Sequence, residues 1–138
     1  LNIQREFDAD LPAVPATANE LEQVLLNLLK NAAQAIHQRD DSATPGQITL
    51  RVRLAPPWAE IQVEDNGVGM PESVRKRIFE PFFTTKEVGQ GTGLGLSVSY
   101  FIVTNNHKGQ MEVQSKAGQG TCFTLRLPMT AATPDTGL

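Results

Sequence analysis

The sequence predicts a two-layer α/β sandwich, with helices packed on one face of a mixed, mainly antiparallel sheet. Three observations lead there. Apolar residues recur at threes and fours from Leu21 to Ile36, which marks one long helix with a single buried face. Alternating segments at 48–54 and 59–64, joined by Pro56-Pro57, read as antiparallel neighbours, and a second alternating pair closes the chain. A doubly wound parallel fold would need more right-handed crossovers than this order supplies.

Element by element, residues 2–8 alternate through Ile3 and Phe7 as an edge strand, and Pro12 and Pro15 then break the chain. Asn19 is the expected N-cap of a helix of about 18 residues, with Glu20 and Glu22 favourable to its N-terminal dipole. The polar segment 39–47, with Pro45-Gly46, is a loop. The two alternating strands follow, and Trp58 beside the proline turn reads as hairpin packing. Asp65–Met70 turns with two glycines, and Pro71 can open a short helix through about Ile78. After a glycine-rich loop, Leu94 to about Asn106 reads as a second long helix packed on the sheet. Met111 and Val113, then Cys122, Phe123, Leu125 and Leu127, form a terminal hairpin about the turn AGQG. The domain is expected over residues 1–130, with a frayed tail at 131–138.

Composition narrows the function. A chain of 138 residues with 40% hydrophobic and 20% charged residues is one globular domain with a core of its own. A net charge of -3 argues against nucleic acid or an anionic membrane as a partner recruited by bulk charge. With neither an apolar run of membrane length nor a signal-like start, a cytoplasmic domain is expected; the initial Leu1 suggests a piece of a longer protein, whose parent could still be anchored in an inner membrane. The single Cys122 makes no internal disulfide and reads as a small core residue. His37 and His107 each end a helix and read as surface caps; neither has a Cys or second His at ligand spacing, so zinc is unsupported.

Three constellations carry chemistry. Gly89, Gly91, Gly93 and Gly95 alternate just before a helix, which fits either a backbone phosphate cradle or a turn-rich loop. Lys86, Thr84, Thr85 and Thr92 stand around it and could supply an ammonium and hydroxyls. Neither the Lys-Ser/Thr ending of a P-loop nor a dinucleotide fingerprint is present. Asn27 and Asn31 lie four apart on one helix face, where a hydrated Mg²⁺ or nearby backbone would satisfy them. Asp65 ends a strand before Asn66-Gly67 and could accept from an exocyclic amine or close an Asx turn, with Gly67 and Gly69 leaving room beside a flat ligand.

Five segments in order then resemble a known family: NLLKNA (27–32), DNGVGM (65–70), FEPFFTTK (79–86), GTGLGLS (91–97) and GQGTCFTLRLP (118–128). They look like the N, first glycine, F and second glycine boxes and the closing hairpin of sensor histidine kinase ATP-binding domains, within the GHKL superfamily. The resemblance implies a Bergerat-type fold that binds ATP and Mg²⁺. By position, Asn31 would ligate Mg²⁺ and Asn27 would order phosphates or metal-bound water, while Asp65 would accept from the adenine amine with Gly67 and Gly69 lining the base. Lys86 and the box Gly91, Thr92, Gly93, Leu94 and Gly95 would hold phosphates, Thr121 would sit near the adenine, and 82–93 would be the lid. Asn27, Asn31 and Lys86 would be the catalytic set.

The hydrolytic members of the superfamily carry Glu where this chain has Asn27, and an amide cannot activate water as a general base. The resemblance therefore implies transfer to a histidine on the parent kinase's own dimerisation domain, and onward to a response regulator. It implies a monomeric domain from a homodimeric parent. A degenerate nucleotide-binding module and an anti-sigma-type serine kinase are the alternatives.

Overall fold

The computed structural model describes residues 1–8, 15–39, 43–83 and 95–129. Five strands make one sheet: β1 (Asn2–Phe7), β2 (Gln47–Ala55), β3 (Trp58–Asp65), β4 (Gln110–Lys116) and β5 (Gly120–Pro128), in spatial order β1-β2-β3-β5-β4. β1 runs parallel to β2, and the other neighbours are antiparallel. Helices α1 (Ala18–His37), α2 (Glu72–Arg75) and α3 (Gly95–Phe101) accompany them, and α3 runs on into a π-helical turn, Ile102–Asn106. This is the mixed, mostly antiparallel sheet with helices on one face that the alternation implies.

The helix-facing side of the sheet follows the period of two. Leu50, Val63, Phe123 and Val113 stand in register across it, as do Val52, Ile61, Leu125 and Met111. Against them α1 buries Val24, Leu28 and Ala32, one residue per turn, and the π-helical turn adds Ile102 and Val103. The opposite face is an ion-pair lattice. Glu60, only 4% exposed, is held by Arg53 at 2.6 Å and Arg126 at 3.1 Å, and Arg126 also reaches Glu112 at 3.0 Å. Arg51 bridges Glu6 at 3.1 Å and Glu64 at 2.7 Å. Among the described residues no helix shields this face, and the charged side chains cover it.

Local details depart from the pattern-based expectations. The cap position of α1 is Thr17, without a side-chain cap bond, and Asn19 lies inside the first turn. The Thr17 N–H donates to His107 Nε2, a contact with the end of the α3 segment that fixes where the chain enters α1. Pro71 occupies the cap of α2, which ends at Arg75 and is followed by turns. Cys122 is not in the apolar core: with Phe123 turned inward, it faces outward and pairs with Glu64 and Gln114, half-buried. Burial raises its thiol pKa, which keeps it protonated and weakly nucleophilic.

Leu125 is fully buried at the centre of the sheet. Leu125→Ala should lower unfolding free energy by about 2–5 kcal/mol, read from urea denaturation with an unchanged m-value.

Candidate functional site: the junction of α1, the Asp65 loop and the closing hairpin

The Asp65–Met70 segment leaves the end of β3 and is gripped from both sides. On the helix side, Val68 N–H donates to Ala35 O of α1 at 3.1 Å, and a Cβ at Gly67 would lie 2.6 Å from the Ala35 backbone. On the hairpin side, Gly118 N–H donates to Val68 O at 2.6 Å. Gly69 has φ +69°, and a Cβ there would stand 1.9 Å from Lys116 O. The two glycines thus permit close approach of the loop to α1 and to the hairpin.

Asp65 is 6% exposed and opposite Thr121 in the β3–β5 ladder. Its Oδ1 accepts from Gly67 N–H at 2.8 Å, and the Thr121 backbone N–H also donates to the carboxylate. Burial nonetheless dominates and pushes its pKa up to about 6, with the neighbouring Glu64 charge adding to the rise. The Gly67 N–H bond, two residues on, closes an Asx turn around this buried carboxylate.

Thr121 is buried, and its Oγ1 lies 2.8 Å from Ser115 Oγ. Ser115 Oγ donates to Gly120 O at 3.0 Å and accepts from Met70 N–H at 2.9 Å, joining the hairpin to the loop. Sequence reading missed Ser115. Its signal was legible: it extends the inward-facing series Met111, Val113, and a polar residue at an inward strand position calls for a partner.

Asn27 and Asn31 sit half-buried one turn apart on α1. Asn27 Nδ2 donates to Ser99 Oγ of α3 at 3.3 Å, and Asn31 Nδ2 donates to Asn27 O at 2.9 Å. Gly95, the first residue of α3, abuts this pair so closely that a Cβ would meet Asn27 Oδ1 at 2.5 Å. Of the atoms an asparagine side chain offers, the amide oxygen is the one suited to a hard cation. Ser99, 1% exposed, was also missed; it is a polar residue on the stripe that includes Leu96, Ile102 and Val103.

The structure therefore brings Asn27, Asn31 and Gly95 together at one place, and Asp65, Gly67, Gly69 and Thr121 at another, both against α1 or the strand ends. Lys86, Gly91, Thr92, Gly93 and Leu94, with Thr84, Thr85 and Gly89, lie outside the described residues. On either side of that span, Phe79 stacks on Tyr100 with centroids 4.7 Å apart and meets Phe123 edge-on at 6.3 Å. Among the described residues no three His, Cys, Asp or Glu side chains gather to hold a metal.

His107 is more than a surface cap. Its Nδ1–H donates to Ile102 O at 3.0 Å, and its Nε2 accepts from Thr17 N–H at 2.9 Å, which fixes the tautomer. Beside it Asn106 Nδ2 donates to Glu20 at 2.7 Å. The two contacts pin the end of the α3 segment to the start of α1, which keeps Gly95 and Ser99 against Asn27.

Two outcomes follow. Gly69→Ala should destabilise the fold by about 1–3 kcal/mol, because both its positive φ and the Lys116 carbonyl oppose a Cβ. The raised pKa of Asp65 means the folded chain binds this proton more tightly than the unfolded chain. Its stabilising contribution is thus complete below 3.8 and is lost as pH rises through about 6. Unfolding titrations of wild type and Asp65→Asn across that window should show the pH-dependent difference between them growing with pH, the wild type losing stability relative to the variant.

The chain matches the family described as histidine kinase-, DNA gyrase B-, and HSP90-like ATPase over residues 16–131. It is 42% identical to the two-component sensor PprA of Pseudomonas aeruginosa over 93% of this chain and 14% of that protein. It is 44% identical to the signal transduction histidine-protein kinase AtoS of Escherichia coli over 90% of this chain and 19% of that protein. The chain thus spans less than a fifth of the length of either relative. Among solved structures, the catalytic domain of histidine kinase ThkA superposes with a TM-score of 0.78 at 30% identity, covering 94% of this chain and 80% of that one. Full-length ShkA in complex with AMPPNP gives 0.78 at 28% identity, over 96% of this chain and 26% of that one. With the buried aspartate, the paired asparagines and the Gly69 turn in these positions, the chain belongs to the GHKL family of ATPases, as a catalytic ATP-binding domain of the two-component sensor histidine kinase kind.

Proposed function

We propose that this chain binds Mg·ATP and donates its γ-phosphate to a histidine on a separate dimerisation domain of its parent kinase. The observation that carries the reading is Asp65: a buried carboxylate, held by two backbone N–H groups, that offers acceptor lone pairs where a base would enter. An exocyclic amine supplies the donors that such a group lacks. At the other end Asn31 and Asn27 would hold the cation through side-chain oxygens, with Ser99 and Gly95 fixing the Asn27 amide. Lys86 and the Gly91–Gly95 box would order the phosphates by the resemblance. The bound ion would neutralise charge on the phosphates during in-line transfer.

Asn27 supports transfer over hydrolysis. Its amide can orient but cannot take a proton from water, so the attacking nucleophile has to come from elsewhere, as a histidine imidazole would. The nucleotide in the ShkA structure and the response regulator bound to ThkA in another related structure support the same placement in a phosphorelay. The parent would act as a homodimer, with this domain facing the cytoplasm, where ATP is available.

Calorimetric titration with a non-hydrolysable ATP analogue should show Mg²⁺-dependent binding. Asp65→Ala should weaken it by at least about tenfold, the scale of one charged hydrogen bond. Asn31→Ala should abolish the Mg²⁺ dependence while leaving weak metal-free binding. Affinity should also fall as pH is lowered through about 6, because the protonated Asp65 no longer offers two acceptor oxygens. A pH-independent affinity would argue that Asp65 does not touch the base. Transfer of phosphate to a supplied acceptor-histidine domain separates a kinase from a module that only binds.

A further inference from the structure

Ser115 lies at the junction of three segments, and its hydrogen bonds can be assigned one by one. A serine hydroxyl has one proton and two lone pairs. Gly120 O, at 3.0 Å, can only accept, so it takes the Ser115 proton. Met70 N–H, at 2.9 Å, can only donate, so it fills one lone pair. The remaining neighbour is Thr121 Oγ1 at 2.8 Å, and with the serine proton already committed the threonine must be the donor. Thr121 thereby has its own proton directed at Ser115 and keeps only lone pairs for anything else. Directly opposite in the ladder stands Asp65, whose ionised carboxylate is also acceptor-only.

From this we infer that Ser115 is a positioning residue that sets the purine preference of the cleft, by holding Thr121 as an acceptor beside the Asp65 carboxylate. A purine with an exocyclic amine brings N–H donors to two acceptors. One with a carbonyl at that place turns an acceptor towards them, and although its ring N1–H can donate to one acceptor, the carbonyl still leaves lone pairs facing lone pairs, an arrangement that binding sites reject. Removing the Ser115 hydroxyl would free the Thr121 proton to rotate towards the ligand, and Thr121 could then donate to a carbonyl. The inference rests on the nucleotide reading above but concerns a residue outside the set that would touch the ligand.

The test is the ratio of two affinities in the full 138-residue chain. Wild type, Ser115→Ala and Ser115→Thr are titrated with a non-hydrolysable ATP analogue and with its 6-oxo (inosine) counterpart, and each variant's melting temperature is recorded. Wild type should prefer the adenine form by about tenfold or more. Ser115→Ala should reduce that ratio at least about fivefold, chiefly by improving the 6-oxo ligand, and Ser115→Thr, which keeps the hydroxyl, should restore it. If the alanine protein does not fold, Ser115→Cys takes its place, since a thiol is a weak partner in both directions and should lower the ratio likewise. An unchanged ratio in a folded variant overturns the proposal while leaving the nucleotide site standing. Equal losses for both ligands, unrescued by threonine, mark a structural role and overturn it too. Wild-type protein that binds neither nucleotide overturns the nucleotide reading and this inference together.

Discussion

Pairing of β5 with β3 is the constraint on which the remaining structure depends. β5 follows β4 in the chain yet lies between β4 and β3, so the closing hairpin is inserted beside the strand that ends at Asp65. That insertion places Thr121 opposite Asp65 and carries Leu125 and Phe123 onto the apolar face under α1. It also delivers the Ser115 hydroxyl and the Lys116–Gly118 backbone to the loop after β3. A register slip of one residue would turn Leu125 outward and remove Thr121 from Asp65 at once, so core and site are specified by the same ladder.

α1 is the second organiser, and it contacts both groups of candidate site residues. Its C-terminal turn receives the Asp65 loop through Ala35, while its middle presents Asn27 and Asn31 to α3. Because Val24, Leu28 and Ala32 are buried along the same helix, the polar contacts inherit the rigidity of the packed stripe. The clasp of His107 and Asn106 onto Thr17 and Glu20 closes the opposite side. Phe79 and Tyr100, stacked on one another, join the segments that precede and follow the span at 84–94.

Asp65 illustrates how such a scaffold tunes one group. Two backbone N–H donors favour the carboxylate, and burial disfavours it; burial is the larger effect, and the group titrates near 6. The outer face of the sheet solves the opposite problem. Glu60 is equally buried but faces two guanidinium groups, which give it partners on both oxygens.

What the sequence determined alone is what depends on local period and residue chemistry. The stripe from Leu21 to Ile36, the strands at 48–54 and 59–64, and the hairpin at 111–127 all emerged as elements because helical and pleated periods are written in apolar spacing. The five boxes located Asn27, Asn31, Asp65 and Thr121 for the same reason: their residue types sit in short, ordered motifs. Contacts between distant segments were decided by tertiary structure. Alternation gave no sign that β5 would lie between β3 and β4, that Thr17 N–H would donate to His107, or that Gly67 and Gly69 would press on α1 and the hairpin. Cys122 reads as a core residue from its place in the apolar alternation TCFTLRL; the pleat turns Phe123 inward and Cys122 outward. Ser115 stood out only as a polar residue at an inward strand position; its role, like that of Ser99, depends on which donors and acceptors the folded chain brings to it, and those arrive from residues up to 72 positions away.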